Sequence, residues 1–121
     1  MKLKRIYEKP APDDGYRVLI DRLWPRGMSK EKAALDEWNR NVSPSTALRK
    51  WFDHQPELFK AFSEKYKEEL LQHTDDLERL KSIAETQDLT LLYASKDEVN
   101  NHSVILLEVL NNLDDFLKNK T

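Results

Sequence analysis

Tyr16-Arg17-Val18-Leu19-Ile20-Asp21-Arg22-Leu23 is the stretch whose reading decides the fold. Val18, Leu19 and Ile20 form an unbroken apolar run, the pattern a strand shows when both of its faces are covered. Pro10, Pro12, Asp13, Asp14 and Gly15 precede it as a cluster of turn formers. Trp24-Pro25-Arg26-Gly27 closes it. The stretch is therefore a candidate central strand. Leu89 to Ala94 carries the same signature and makes a second buried strand.

Working outward, Leu3 to Tyr7 alternates apolar and basic residues and reads as a further strand. Ser29 caps a short helix through Leu35, and Leu35 to Asn41 holds the weak pattern of an edge strand. Ser43 followed by Pro44 suits an N-cap and first helical position, with Leu48, Trp51 and Phe52 at helical spacing behind them. From Pro56 to about Gln72, Leu58, Phe62, Tyr66 and Leu70 fall four apart and predict a long amphipathic helix. Asp75 and Glu78 have the spacing of a capping box for a helix reaching about Gln87. A final helix starts near Asn101 or His102 and shows Leu106, Val109, Leu110, Leu113, Phe116 and Leu117 on one side. Helices alternating with buried strands predict a small three-layer α/β domain, a mainly parallel sheet with helices on both faces.

The bulk numbers bound the function. A chain of 121 residues supports one hydrophobic core and hence a single domain over residues 1–121. The net charge of −2 supplies no excess of cations for general nucleic-acid binding, so nucleic acid is an unfavoured partner and any basic character is local. The longest apolar runs, such as Val104 to Leu107, are too short for a bilayer, and Met1 to Glu8 lacks the apolar core of a secretory signal. A cytoplasmic location without membrane contact is the expectation. Cysteine is absent, which removes disulfides, thiolate nucleophiles and thiolate metal sites together. Two glycines exclude a glycine-rich phosphate loop, and the three histidines lack metal-ligand spacing. No cofactor and no metal are expected.

Open α/β sheets bind ligands outside the carboxyl ends of their strands. That rule selects Asp21 to Gly27 and Ser95 to His102, which open on one edge if the two buried strands are parallel. Arg22 and Arg26 offer planar forks suited to carboxylate or phosphate, and Arg49 is a further candidate. Trp24 with Pro25 shapes the first loop. Asn101 and His102 stand at a helix start that favours an anion. His102 is the candidate acid/base or hydrogen-bond donor, Lys96 and Asp97 a candidate proton-transfer pair, and His54 and His73 read as surface residues. The expected ligand is a small anion, bound by an enzyme or a sensor. In the plainer alternative Arg22 and Arg26 pair with Asp21, Asp97 or Glu98, and Trp24 fills core space.

Two rival functions stay open on the residues. One is a protein–protein interaction module, a homodimer among its forms, with Trp24, Trp38 and Trp51 in the contact surface. The other is local nucleic-acid binding at Lys2, Lys4, Arg5, Lys9 and Arg17, against the overall acidity.

Asp21-Arg22-Leu23-Trp24-Pro25-Arg26-Gly27, Ser43-Pro44-Ser45 with Leu48-Arg49 and Trp51-Phe52, and Leu91-Leu92-Tyr93-Ala94 with Lys96-Asp97 and Asn101-His102 occur in an order and spacing that resemble a known family. It is the YeaO-like branch of the bacterial domain-of-unknown-function family number 488. The resemblance covers most of the chain and implies a small cytoplasmic bacterial α/β protein, but brings no activity with it. Other branches carry Cys-His-Arg where this chain has Asn101-His102-Ser103, so a cysteine mechanism in those branches finds no nucleophile here.

Overall fold

A computed structural model describes residues 1–118. Four strands, Lys2–Arg5 (β1), Tyr16–Leu19 (β2), Glu37–Trp38 (β3) and Leu89–Tyr93 (β4), form one sheet in the order β1-β4-β2-β3 with every pairing parallel. The two apolar runs thus lie side by side at its centre, with Val18 beside Leu91 and Leu19 beside Leu92. The ladder continues past them, since the Ile20 N–H donates to the Leu92 carbonyl at 3.0 Å and the Ile6 N–H to the Tyr93 carbonyl at 2.8 Å. The weak Leu35–Asn41 pattern is a two-residue edge strand, as an edge position requires least apolar sequence.

The helices are Lys30–Ala33 (α1), Thr46–Phe52 (α2), Phe59–Leu70 (α3), Thr74–Thr86 (α4), His102–Asn111 (α5) and Leu113–Lys118 (α6). Their division between the faces is unequal. Val18, Ile20, Leu89 and Leu91 face a large core built with Leu48, Phe62, Tyr66, Leu77, Leu80, Leu106 and Leu110 from the later helices. Leu19 and Leu92 point the other way, where Ile6, Ala33 of α1, Trp24 and Trp38 make a small second cluster. None of these helices is long and apolar enough to cross a membrane.

Three local details differ from expectation. The N-cap of α2 is Ser45, not Ser43: the Ser45 hydroxyl accepts the Leu48 N–H at 3.1 Å and donates to Glu69 at 2.6 Å, so a carboxylate on α3 selects between two nearby serines. Ser43 instead closes a turn on the Arg40 carbonyl. Helix α4 begins at Thr74, one residue ahead of the Asp75 cap position, so Asp75 lies in its first turn and no side chain caps it. The carboxylate of Asp76 is held by Asn39 and Asn41 across the surface. The last helix is two, broken at Asn112, whose side chain donates back to the Glu108 carbonyl at 3.1 Å.

Candidate functional site at the carboxyl edge of the sheet

Parallel pairing brings the chain segments after all four strands to one edge. The connection after β2 leads to α1 on the small-cluster face, whereas the connection after the adjacent β4 leads to α5 on the large-core face. Neighbouring strands whose continuations depart to opposite faces leave a crevice between them, the topological switch point of an open sheet. A cleft of about 380 Å³ opens there, with Asp21, Arg22, Trp24 and Arg26 from the β2 side and Ser95 and His102 from the β4 side. Arg49 and His54, at and just beyond the end of α2, complete it. A smaller hollow of about 90 Å³ adjoins, sharing Pro44, Arg49, His54, Ser95 and His102 and floored by Phe52 and Phe62.

Asp21 ties the two loops together. Its Oδ2 accepts the Ala94 N–H at 2.9 Å, and its backbone carbonyl accepts the Trp38 indole N–H at 2.7 Å. His102 Nε2 stands 2.9 Å from the Ile20 carbonyl and 3.2 Å from Asp21 Oδ1. A carbonyl oxygen only accepts, so Nε2 carries the proton, and its N–H is spent on Ile20 rather than on the carboxylate. Oδ1 is consequently buried with no hydrogen bond, while Nδ1 of His102 has no partner among the described residues. The Tyr66 ring stands edge-on to His102 at 6.1 Å. Burial pushes its phenol well above the ordinary value, with Asp21 and Glu69 adding to the effect, so it is neutral beside the cleft.

The arginines divide by what they already hold. Arg22 donates through Nε to the Pro44 carbonyl at 2.9 Å and through Nη2 to the Ser43 and Arg40 carbonyls at 3.3 and 3.4 Å. It lines the cleft, but most of its fork fastens the loop that launches α2. Arg26 and Arg49 are exposed and their guanidinium groups make no hydrogen bond among the described residues. Neither Arg22 nor Arg26 pairs with Asp21, Asp97 or Glu98.

Trp24 is fixed by its indole N–H on the Met28 carbonyl at 2.6 Å and by an edge contact with Trp38 at 5.3 Å. Gly27 follows with φ of 75°, a backbone state that the Trp-Pro-Arg-Gly sequence supplies without strain. Asn101 is the buried N-cap of α5, accepting the Ser103 N–H at 2.8 Å and donating to the Asp97 carbonyl at 2.6 Å. Asn101 touches the smaller hollow only. Asp97 and Lys96 lie outside both hollows. The Asn100 and Val99 N–H groups hold the Asp97 carboxyl below the usual carboxylate range and make it a turn former.

Two contributors escape a reading of the sequence. Asp21 has the look of an arginine partner, and only the adjacency of Ile20 and Ala94 in space shows it as the clasp between loops. His54 resembles a surface residue, and its side of the cleft follows from two successive left-handed residues, Asp53 and His54, that end α2. Elsewhere, Lys2, Lys4 and Arg17 of the basic segment converge on Asp14, and Arg5 donates to the Ala94 and Ser95 carbonyls. Among the tryptophans only Trp51 is largely exposed, at 42%, with Lys65 Nζ 5.2 Å above its ring.

The molecule is thus a small parallel α/β protein with a cation-rich cleft at its switch point. The chain belongs to the DUF488 family, and within it to the YeaO-like branch: the family model described as the inactive DUF488-N3 subclade matches residues 1–119. It is 45% identical to the uncharacterized protein YeaO of Escherichia coli over 113 residues, 93% of this chain and 98% of that one. It is 37% identical over 111 residues to the uncharacterized proteins Mb3100c of Mycobacterium bovis and Rv3073c of Mycobacterium tuberculosis, covering 92% of this chain and 93% of theirs. No solved structure matches it significantly.

Proposed function

We propose that the chain binds a small anionic ligand in the switch-point cleft, chiefly through Arg49, with Arg26 and His54 as additional donors. The observation that carries this reading is the charge of the walls. Arg22, Arg26, Arg49 and two histidines line the joined hollows, against Asp21 as the one carboxylate among the described residues. Clefts lined by one sign of charge focus the field and concentrate the opposite charge. The N-terminus of α5 adds its dipole to the same side.

Binding fits better than catalysis. The lining hydroxyl of Ser95 exchanges contacts with the Asp97 backbone, and that of Tyr7 donates to the Arg26 carbonyl. His102 keeps its Nε2–H on the Ile20 carbonyl and offers Nδ1 as an acceptor for a proton that the ligand itself carries. The subclade's description as inactive agrees with this.

Thermal shift is the test, with phosphate, acetate and larger organic phosphates and carboxylates as probes. Ligand at ten times its Kd stabilises the folded state by about 1.4 kcal/mol, roughly 5 °C in Tm for a chain of this size. Arg26→Gln with Arg49→Gln removes the shift, since neither side chain holds the fold together. An equal shift in the double variant, or no shift across the panel, contradicts the reading. Arg22 is the wrong residue for this test, because its loss takes the guanidinium donor from the Pro44 and Ser43 carbonyls.

A further inference from the structure

We propose that the ligand is an aryl anion, with its phosphate or carboxylate head in the smaller hollow and its ring in the larger cleft against Trp24. The inference rests on the anion-binding reading of the same cleft and adds the class of molecule bound. Size separates the two compartments. An apolar cavity of about 150 Å³ takes a benzene ring, so the smaller hollow, at about 90 Å³, is too tight for one and suits a head of three to five atoms. Its walls match such a head: Arg49 and His54 are the cationic or donating groups, Ser95 and Asn100 are further polar ones, and Nδ1 of His102 accepts from a protonated head. Phe52 and Phe62 line the same hollow, and such low-polarity surroundings strengthen each charge contact.

The larger cleft has room for the rest of a small molecule, its 380 Å³ lying in the usual range of roughly 300 to 1,000 Å³. Its lining has features an inorganic ion would not use. Trp24 is immobilised by Met28 and Trp38, so it offers an aromatic surface with no freedom left to lose. Leu23 lines the same cleft 61% exposed, as does an exposed Tyr7 whose hydroxyl donates to the Arg26 carbonyl at 2.9 Å. Arg26 lines the cleft as well, and guanidinium groups stack on planar rings as readily as they pair with anions. A fixed indole and exposed Leu23 and Tyr7 side chains, on a cleft wall that also carries Arg22, Arg26 and Arg49, describe a site for an aryl anion.

Isothermal titration of the full chain with phenyl phosphate, benzoate, inorganic phosphate and acetate tests this. At least one aryl anion binds tenfold or more tightly than its head alone. Leu23→Ser, an exposed position with no hydrogen bond to lose, narrows that gap severalfold and leaves inorganic phosphate unchanged. Arg49→Gln weakens every anion. Heads that bind as tightly as their aryl forms, with Arg49→Gln still weakening them, overturn the aryl assignment while leaving the anion site intact. Aryl binding indifferent to both substitutions, or no binding by any of the four, overturns both.

Discussion

Asp14→Asn separates what holds this fold from what its cleft does. Asp14 is fully buried, at 0% exposure, although it lies in a run of turn formers. Its Oδ2 accepts the Ala11 N–H at 2.9 Å, Lys4 Nζ at 3.1 Å and Arg17 Nη1 at 2.6 Å, and Lys2 Nζ lies 3.2 Å from Oδ1. Arg17 is itself only 4% exposed, and its Nη2 reaches the Ala33 carbonyl of α1 at 2.7 Å. Asparagine keeps the shape and removes the charge, leaving the Arg17 guanidinium buried without its counter-ion. Breaking a buried pair from one side costs about 3–5 kcal/mol, against about 1 kcal/mol or less for the more exposed lysine contacts. The expected loss is therefore about 3–5 kcal/mol, or roughly 10–20 °C in Tm. Urea unfolding followed by circular dichroism reads it as a lower midpoint at unchanged slope. Burial alone would raise the Asp14 carboxyl, but the Ala11 N–H and the three cations outweigh it and hold the group far below the carboxylate range. With the folded value depressed, its stabilisation is present above about pH 4 and fades as pH falls further. Native and Asp14→Asn midpoints accordingly converge below pH 4. A loss under 1 kcal/mol at pH 7, or curves that stay parallel in acid, would refute the reasoning. Asp14 precedes β2 at the amino edge of the sheet, so anion binding by the folded variant stays at the native level.

The glycines give a paired prediction. At Gly15, φ is 64° and an added Cβ would stand 2.2 Å from the Asp88 carbonyl oxygen, whereas Gly27, at φ of 75°, has open space around it. Gly15→Ala should cost well over 2 kcal/mol and Gly27→Ala about 1–2 kcal/mol, measured by denaturant unfolding; equal costs would deny the close approach. Ser45→Ala should destabilise by about 1–2 kcal/mol. Glu69→Gln added to it should then cost little more, so a double-mutant cycle showing full additivity would contradict the Ser45–Glu69 contact.

The sequence carried the fold to the extent that it rested on local pattern. Val18-Leu19-Ile20 and Leu89 to Tyr93 announce doubly covered strands, and Ser29 and Asn101 sit at helix starts where their side chains cap. Parallel pairing of those strands places Arg22 and His102 around one hollow. What pattern does not carry is competition among distant groups. Ser45 wins the cap from Ser43 through Glu69, 24 residues on. Arg22 lines the cleft yet spends its fork on the Pro44, Ser43 and Arg40 carbonyls of the loop ahead of α2, 18 to 22 residues on in the sequence. Lys96 and Asp97 sit beside the site in sequence and outside it in space, since the Asx turn at Asp97 closes on its own backbone.

The most direct measurement of the central claim is histidine-resolved NMR during a titration with phenyl phosphate. His102 and His54 line both hollows, and His73 lies on the turn between α3 and α4. Saturable shifts at His102 and His54 with His73 unmoved are the predicted result. Shifts confined to His73, or none at any of the three, would contradict an anion site at the carboxyl edge of the sheet.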